Sequence, residues 1–330
     1  MKLFRFLLLS TLLVAAALAG AAAWWLNRPL ELTSETMEVS IAAGTAPRDI
    51  AQAWVDAGVQ TSPTLLYQWF RLSGDSRKIR AGTYRIDRST TPIALLDAMI
   101  RGTSVTASVR LLEGWTFRQF RAELAKAEAL KSATAAMSDE QIMEALGAAG
   151  TMPEGRFYPD TYSYEKGSTD LDVLKRAYQA MQSRMTEAWA ERASDTPLRN
   201  PDDMLTLASI IEKETGVAAD RGLISGVFIN RLRLGMLLQT DPTVIYGLGA
   251  SFDGNLRKRD LQTDTPYNTY TRAGLPPTPI AMPGRASLMA AARPQDTKAL
   301  YFVARGDGSS VFSETLAEHN RAVNRFQRGN

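Results

Sequence analysis

The chain contains no cysteine and only one histidine, and these two scarcities remove most familiar catalytic constellations. Without a thiol there is no cysteine nucleophile, no disulfide and no thiolate metal site. The single imidazole, His319, lies in the polar C-terminal pattern SETLAEHNRAVNRF, where an exposed helical position is the expectation. Ser-His-Asp, Cys-His and zinc arrangements therefore cannot be assembled, and neither a metal nor a cofactor is expected. Long blocks of one charge are also missing: 38 basic and 35 acidic residues nearly balance over 330 positions, so nucleic acid is not an expected partner. Internal repeats and low-complexity segments are absent too. Carboxylate chemistry is what remains.

Only one long apolar run is present. Residues 6–26 (FLLLSTLLVAAALAGAAAWWL) are uncharged over about the length that spans a bilayer as a helix. Lys2 and Arg5 precede the run, and Trp24 and Trp25 close it. The positive-inside rule leaves residues 1–5 in the cytoplasm, puts the tryptophans at the outer interface and exports the rest. The expectation is a single-pass inner-membrane protein, held to lipid by residues 6–26, with a periplasmic domain. A cleaved signal peptide is the competing reading, because Ala17-Leu18-Ala19 offers small residues in an A-x-A arrangement. The continuation of the run to the aromatic pair favours the anchor.

After a linker at 27–36, the region 37–105 reads strand, helix, helix, strand, helix. MEVSIAAG alternates, APRDIAQAWVDAG and SPTLLYQWFRLSG are amphipathic with glycine stops, KIRAGTYRID returns as a strand, and TPIALLDAMIRG opens at a proline. The glycine turn, the IAxxW helix and the AGV turn resemble a LysM-like module, which implies binding of N-acetylglucosamine polymers. A generic α+β unit packing on the next domain is the alternative. Beyond it, residues 107–112 predict a strand and EGWTFRQFRAELAKA a helix. Residues 130–151 read as a helical connection, and PEGRFYPDTYSYEKG as a structured loop. A long helix is expected over 170–192, with Leu171, Leu174, Ala177, Tyr178, Met181 and Met185 as core.

The helix containing LTLASIIEKETG carries an acid on an apolar face. At about 100° per residue, Met204, Leu207, Ala208, Ile210 and Ile211 share one arc and Glu214 falls inside it. Glu212 lies at the edge, and Thr206, Ser209 and Lys213 are expected to point away. A carboxylate on such a face is partly desolvated, which raises its pKa and suits a general acid. Glu214 is thus the catalytic candidate of the pair.

Nearby polar residues supply candidate binding groups. Gln239, Thr240 and Asp241 precede Pro242 in a turn, suited to sugar hydroxyls and amides, with Asp241 as a helix cap the alternative. Tyr267, Asn268, Thr269 and Tyr270 combine aromatic surface with hydrogen-bonding groups, as carbohydrate clefts do. Tyr246 is placed to stack on a sugar or to fill the core. Asn230 and Arg231, on an amphipathic helix, are read as structural.

Six ordered motifs carry a resemblance over nearly the whole chain. RAGTYRI (80–86), EGRFYPDTY (154–162), ASIIEKET (208–215), VFINRLRLGMLLQTDPTVIYG (227–247), TPYNTYTRAGLPPTPIAMPG (265–284) and LYFVARGDG (300–308) together resemble the YceG/MltG-like family of endolytic murein transglycosylases. IIEKET is also similar to the IIxxES element of goose-type lysozymes. Both resemblances align the catalytic acid with Glu214, leaving Glu212 as structural, paired with a basic neighbour. They imply cleavage between N-acetylmuramic acid and N-acetylglucosamine within a glycan strand, leaving 1,6-anhydro ends. One carboxyl group suffices there, because the substrate's own C6 hydroxyl is the nucleophile; hydrolytic glycosidases generally need two. The implied fold is α+β: a transmembrane helix, the LysM-like subdomain, and a larger α+β catalytic domain at 106–330 with its glutamate on a helix. Peptidoglycan strands are the implied partner, and cell-wall synthases are expected from the family and the membrane location. A lysozyme-type hydrolase with Asp241 as second carboxylate, and a non-catalytic wall-binding scaffold, are the competing classes.

Overall fold

The computed structural model describes residues 2–102 and 105–328, so the expected edge of the first subdomain lies partly outside the described residues. The fold is mixed helix and sheet, in two compact units. One comprises the chain up to Ala107 with Glu128–Lys131 and Ser163–Ser168. The other comprises Ser108–Ala127, Ser132–Tyr162 and the chain from Thr169 onward.

The first unit opens with helix α1 (Lys2–Asn27), within which Leu9–Asn27 is long and apolar enough to cross a membrane. Strand β1 (Thr36–Ile41), α2 (Pro47–Asp56), α3 (Pro63–Leu72), β2 (Gly82–Asp87) and α4 (Pro92–Arg101) follow, in the order read from the sequence. Strict alternation buries Met37, Val39 and Ile41 on one face of β1, which pairs antiparallel with β2 in a register running from Thr36 opposite Asp87 to Ile41 opposite Gly82. Trp54 of the IAxxW helix is fully buried, and its indole N–H donates to the Met99 sulfur at 3.4 Å. Thr91 caps α4 ahead of Pro92, and Gly102 closes it in the left-handed conformation. The short segments 128–131 and 163–168 join by backbone hydrogen bonds, Lys131 to Ser168, Gly167 to Ala129 and Lys166 to Val105.

Strand β3 (Thr106–Arg110) and, after α5 (Phe117–Lys126) and α6 (Asp139–Ala145), strand β4 (Thr161–Glu165) form a two-stranded sheet. Two sequence expectations change here. Of 130–151 only α6 is helical, and the loop expected over 153–167 ends in β4, where alternating burial of Tyr162 and Tyr164 satisfies strand periodicity. Irregular backbone around Thr134 is held instead by Asp170. This carboxylate is 2% exposed and accepts from Ala133 N–H, Thr134 N–H and the Thr134 hydroxyl at 2.8, 3.1 and 2.6 Å.

The second unit continues with α7 (Asp170–Ala190), α8 (Pro201–Glu214), α9 (Ala218–Arg233), α10 (Asp241–Leu248), α11 (Lys258–Gln262), α12 (Arg285–Ala292), the antiparallel hairpin β5 (Tyr301–Ala304) and β6 (Ser310–Ser313), and α13 (Leu316–Gln327). Its core is α8, which α7, α9, α10 and α12 contact. Every residue from Met204 to Ile211 is buried, including Thr206 and Ser209, which the helical-phase reading had turned outward. The Ser209 hydroxyl donates to Thr206 O at 2.7 Å and accepts from Ile280 N–H at 3.0 Å, so Ser209 is buried at no loss of hydrogen bonding.

Candidate active site

Asn200 starts α8 by accepting from Asp203 N–H at 2.8 Å, with Pro201 in the first turn. The helix stops at Glu214, since Thr215 is extended at φ −147°. Glu214 thus sits where the helix dipole is negative, which disfavours a charge on it. It is half-buried, and desolvation holds its pKa above the ordinary carboxylate value. The Thr240 hydroxyl, donating a short hydrogen bond to Oε1, opposes that rise; the Asp241 charge adds to it and the Arg231 charge opposes it. A proton-holding carboxyl that can also become a carboxylate suits acid and base work.

The segment delivering Thr240 is tightly held. Gln239 stands at φ +50°, unusual for a residue with a side chain, and its N–H bonds Thr269 O at 3.0 Å. The Thr269 hydroxyl accepts from Thr240 N–H at 3.1 Å and lies 2.9 Å from that of Thr243. Thr240 is the N-cap of α10, yet its side chain makes no cap hydrogen bond. Asp241 does not cap the helix either; it occupies the first turn, and the Tyr270 hydroxyl donates to its Oδ1 at 2.6 Å.

Glu214, Gln239, Thr240, Asp241, Thr269 and Tyr270 are therefore linked in one cluster. Among them Gln239 and Asp241 are exposed and Tyr270 half-buried, which leaves these three open to a ligand. Thr240 and Thr269 are only 2% exposed, and their hydroxyls are engaged inside the protein. Asn268 is fully buried. Its amide donates to the carbonyls of Asp260, Leu261 and Thr263, and its Oδ1 accepts from Tyr270 N–H. Its side chain holds the loop rather than facing a ligand.

Tyr246 of α10 and Tyr267, in the loop after α11, form a second group. Their rings meet edge-on at 5.0 Å. Tyr267 bonds Thr278 at 2.8 Å, and Tyr246 donates to Glu154 Oε2 at 3.1 Å. Glu154 is 7% exposed, and desolvation raises its pKa to about 7 despite the Phe117 N–H on its other oxygen. Only the EGRFYPDTY motif singled out Glu154; a charge in an aromatic-rich loop was the available signal.

Two further residues depart from expectation. Among the described residues Glu212 forms no ion pair: its Oε2 accepts from Gly284 N–H at 3.0 Å, and the Glu113 carboxylate lies against the same glycine. His319 is half-buried rather than exposed, stacked on Tyr301 at 5.2 Å, with its pKa lowered by desolvation and by the Arg231 charge. Arg231, read as structural, is buried and donates to the carbonyls of Leu237, Leu238 and Leu300. Among the described residues no group of three or more histidine, cysteine or carboxylate side chains forms a metal site.

Residues 39–325 match the model of the YceG-like family. A Bacillus subtilis protein named endolytic murein transglycosylase is 32% identical over 91% of this chain and 88% of its own length. A Streptococcus pneumoniae protein of the same name is 25% identical over 89% of this chain, which spans 59% of that longer relative. Among solved structures, a yceG-like protein of Listeria monocytogenes superposes with a TM-score of 0.56 at 30% identity, covering 87% of this chain and 98% of that one.

Proposed function

Because the chain belongs to the YceG-like family, we propose that it is a membrane-anchored endolytic lytic transglycosylase that cuts the β-1,4 bond between N-acetylmuramic acid and N-acetylglucosamine in nascent glycan strands. The observation that carries this reading is the Glu214 carboxyl, desolvated at a helix end and bonded by a neighbouring hydroxyl. Glu214 gives its proton to the glycosidic oxygen as the bond from C1 of N-acetylmuramic acid to that oxygen breaks. The C6 hydroxyl of the same sugar attacks C1, and the Glu214 carboxylate takes the hydroxyl proton. The products are a free N-acetylglucosamine 4-hydroxyl and a 1,6-anhydro end; water is not consumed, and Glu214 finishes protonated.

Gln239, Asp241 and Tyr270 are the polar groups open to the substrate beside Glu214, and Tyr246 and Tyr267 supply aromatic surface. The LysM-like first unit holds glycan, and α1 keeps the enzyme where new strands emerge on the periplasmic side of the inner membrane, next to the synthases that make them. Cutting there ends strand elongation.

Digestion of purified, uncrosslinked glycan strands with mass analysis of the ends tests the reading. Anhydro ends that vanish in Glu214→Gln and persist in Glu212→Gln support it. Reducing ends would indicate a lysozyme-type hydrolase using Asp241, and intact strands a wall-binding scaffold.

A further inference from the structure

The first unit leaves apolar surface uncovered close to where the chain emerges from α1. Outside α1, seven large apolar side chains are exposed among the described residues, and three of them, Leu65 (45%), Leu72 (80%) and Ile93 (40%), belong to this unit. They share one face. Leu65, Trp69 and Leu72 stand at i, i+4 and i+7 on α3, beside the stripe of Leu66 and Phe70 that enters the core. The Trp69 indole N–H donates to Pro92 O at 3.0 Å, which sets this second stripe against the first turn of α4, where Ile93 is exposed. The same end of α4 meets the exit of α1: the N–H of buried Leu30 donates to Thr90 O at 2.8 Å. Trp25, in the last turn of α1, packs against the core of the unit, and α1 contacts α4. Only Arg28 and Pro29 lie between α1 and Leu30, so the apolar helix enters the folded unit without a slack tether.

We propose, on the reading of α1 as a membrane anchor, that the face of Leu65, Leu72 and Ile93 docks on the lipid surface, its side chains seated at the boundary between headgroups and acyl chains. A contiguous exposed apolar face marks an interaction site. Lipid is the occupant because the face continues from the membrane-crossing helix. Five residues after Trp25 the chain is already fixed in the core at Leu30, and five extended residues span at most about 18 Å. The hydrogen bonds from Leu30 to Thr90 O and from Trp69 to Pro92 O carry that fixed point on to α4 and α3. Charge agrees with this occupant. Arg28, its guanidinium carbon 4.5 Å from the centre of the Trp24 ring, stands where the chain leaves the bilayer, and exposed Arg71 adjoins Leu72; both suit lipid phosphates. The first unit thus rests on the membrane by α3 and the start of α4, in addition to being tied to it by α1.

Because the chain has no cysteine, single thiol labels report on this face in the full chain. Leu65→Cys and Leu72→Cys, with Thr64→Cys and Leu13→Cys as controls, each carry a small environment-sensitive fluorophore. The protein sits in nanodiscs of phosphatidylethanolamine and phosphatidylglycerol, doped with lipid bearing a nitroxide near the top of its acyl chain. All four positions are exposed, so the substitutions leave the core untouched. Leu13 lies inside α1 and reports the anchor; Thr64 lies about 100° round α3 from Leu65. A face seated at the headgroup boundary is quenched at Leu65→Cys and Leu72→Cys about twofold or more above Thr64→Cys. Quenching at Leu13→Cys, with Leu65→Cys and Leu72→Cys no stronger than Thr64→Cys, overturns the docking and leaves the anchor standing. An emission shift at positions 65 and 72 that needs added glycan strands, or several copies in one disc, gives the face to glycan or to a second copy and overturns it equally. No quenching at Leu13→Cys removes the anchor, and the docking with it.

Discussion

The hydroxyl of Thr240 is turned from the helix it begins and donates to the carboxylate of Glu214. An N-cap threonine ordinarily satisfies a free N–H of its own first turn, a contact worth about 1 kcal/mol. Here α10 forgoes that contact, and the carboxyl gains a fixed hydrogen bond from a buried, immobile donor.

Thr240→Val should therefore damage turnover more than folding. Loss of a hydrogen bond to a charged group corresponds to about a ten- to hundredfold fall in rate. Thr240→Ser, which keeps the hydroxyl, should retain most activity. Steady-state rates of anhydro-end release on the two variants, beside their melting temperatures, check this; equal loss in both would remove the hydroxyl from the mechanism.

Glu154 should make stability depend on pH. Its carboxyl is raised from 4.5 to about 7 by burial, so between these values the folded state keeps a proton that the unfolded chain has released. Stability from this group is then fully present below pH 4.5, declines as pH rises through the window, and is lowest above pH 7, by at most about 3 kcal/mol. Glu154→Gln removes the dependence. The melting temperature of the variant relative to wild type should rise from pH 5 to pH 8, and a constant difference would contradict the assignment.

Asp170 predicts a large loss of stability at a distance from the candidate active site. Asp170→Ala leaves the buried N–H of Thr134 and its hydroxyl unpartnered, along with the N–H of Ala133. The expected cost is about 3 kcal/mol or more, read as a lowered denaturant midpoint. Well below the transition temperature, kcat should be near wild type.

Gly226 in α9 should resist alanine even though alanine favours helices by about 1 kcal/mol. A Cβ there would meet the backbone oxygen of Gln295 at 2.5 Å and Thr297 Cγ2 at 2.7 Å. Main chain yields poorly, so Gly226→Ala should destabilise by about 2 kcal/mol. Gly222→Ala, one turn earlier, meets the side chain of Gln295 at 3.2 Å and should cost less. Chemical denaturation of the pair measures the difference.

Sequence by itself determined the elements whose signal is local. Alternation in β1, proline and glycine punctuation around α4, and the apolar run of α1 depend only on neighbouring residues, so they are legible without the fold. The choice of Glu214 over Glu212 as candidate also came from helical phase and motif. Tertiary structure decided what periodicity cannot carry. Thr206 and Ser209 are polar in sequence yet buried, because α8 is packed by other helices and the Ser209 hydroxyl finds hydrogen-bond partners there. Asn268 is the kind of residue that binds sugars, yet its amide is consumed by loop carbonyls. Thr240 reaches Glu214 across 26 residues, and Arg231 ties the Leu237 and Leu238 carbonyls of the segment before Thr240 to the Leu300 carbonyl far along the chain. Electrostatic balance at a carboxyl depends on distance through space and on excluded water, and only the packed chain sets those.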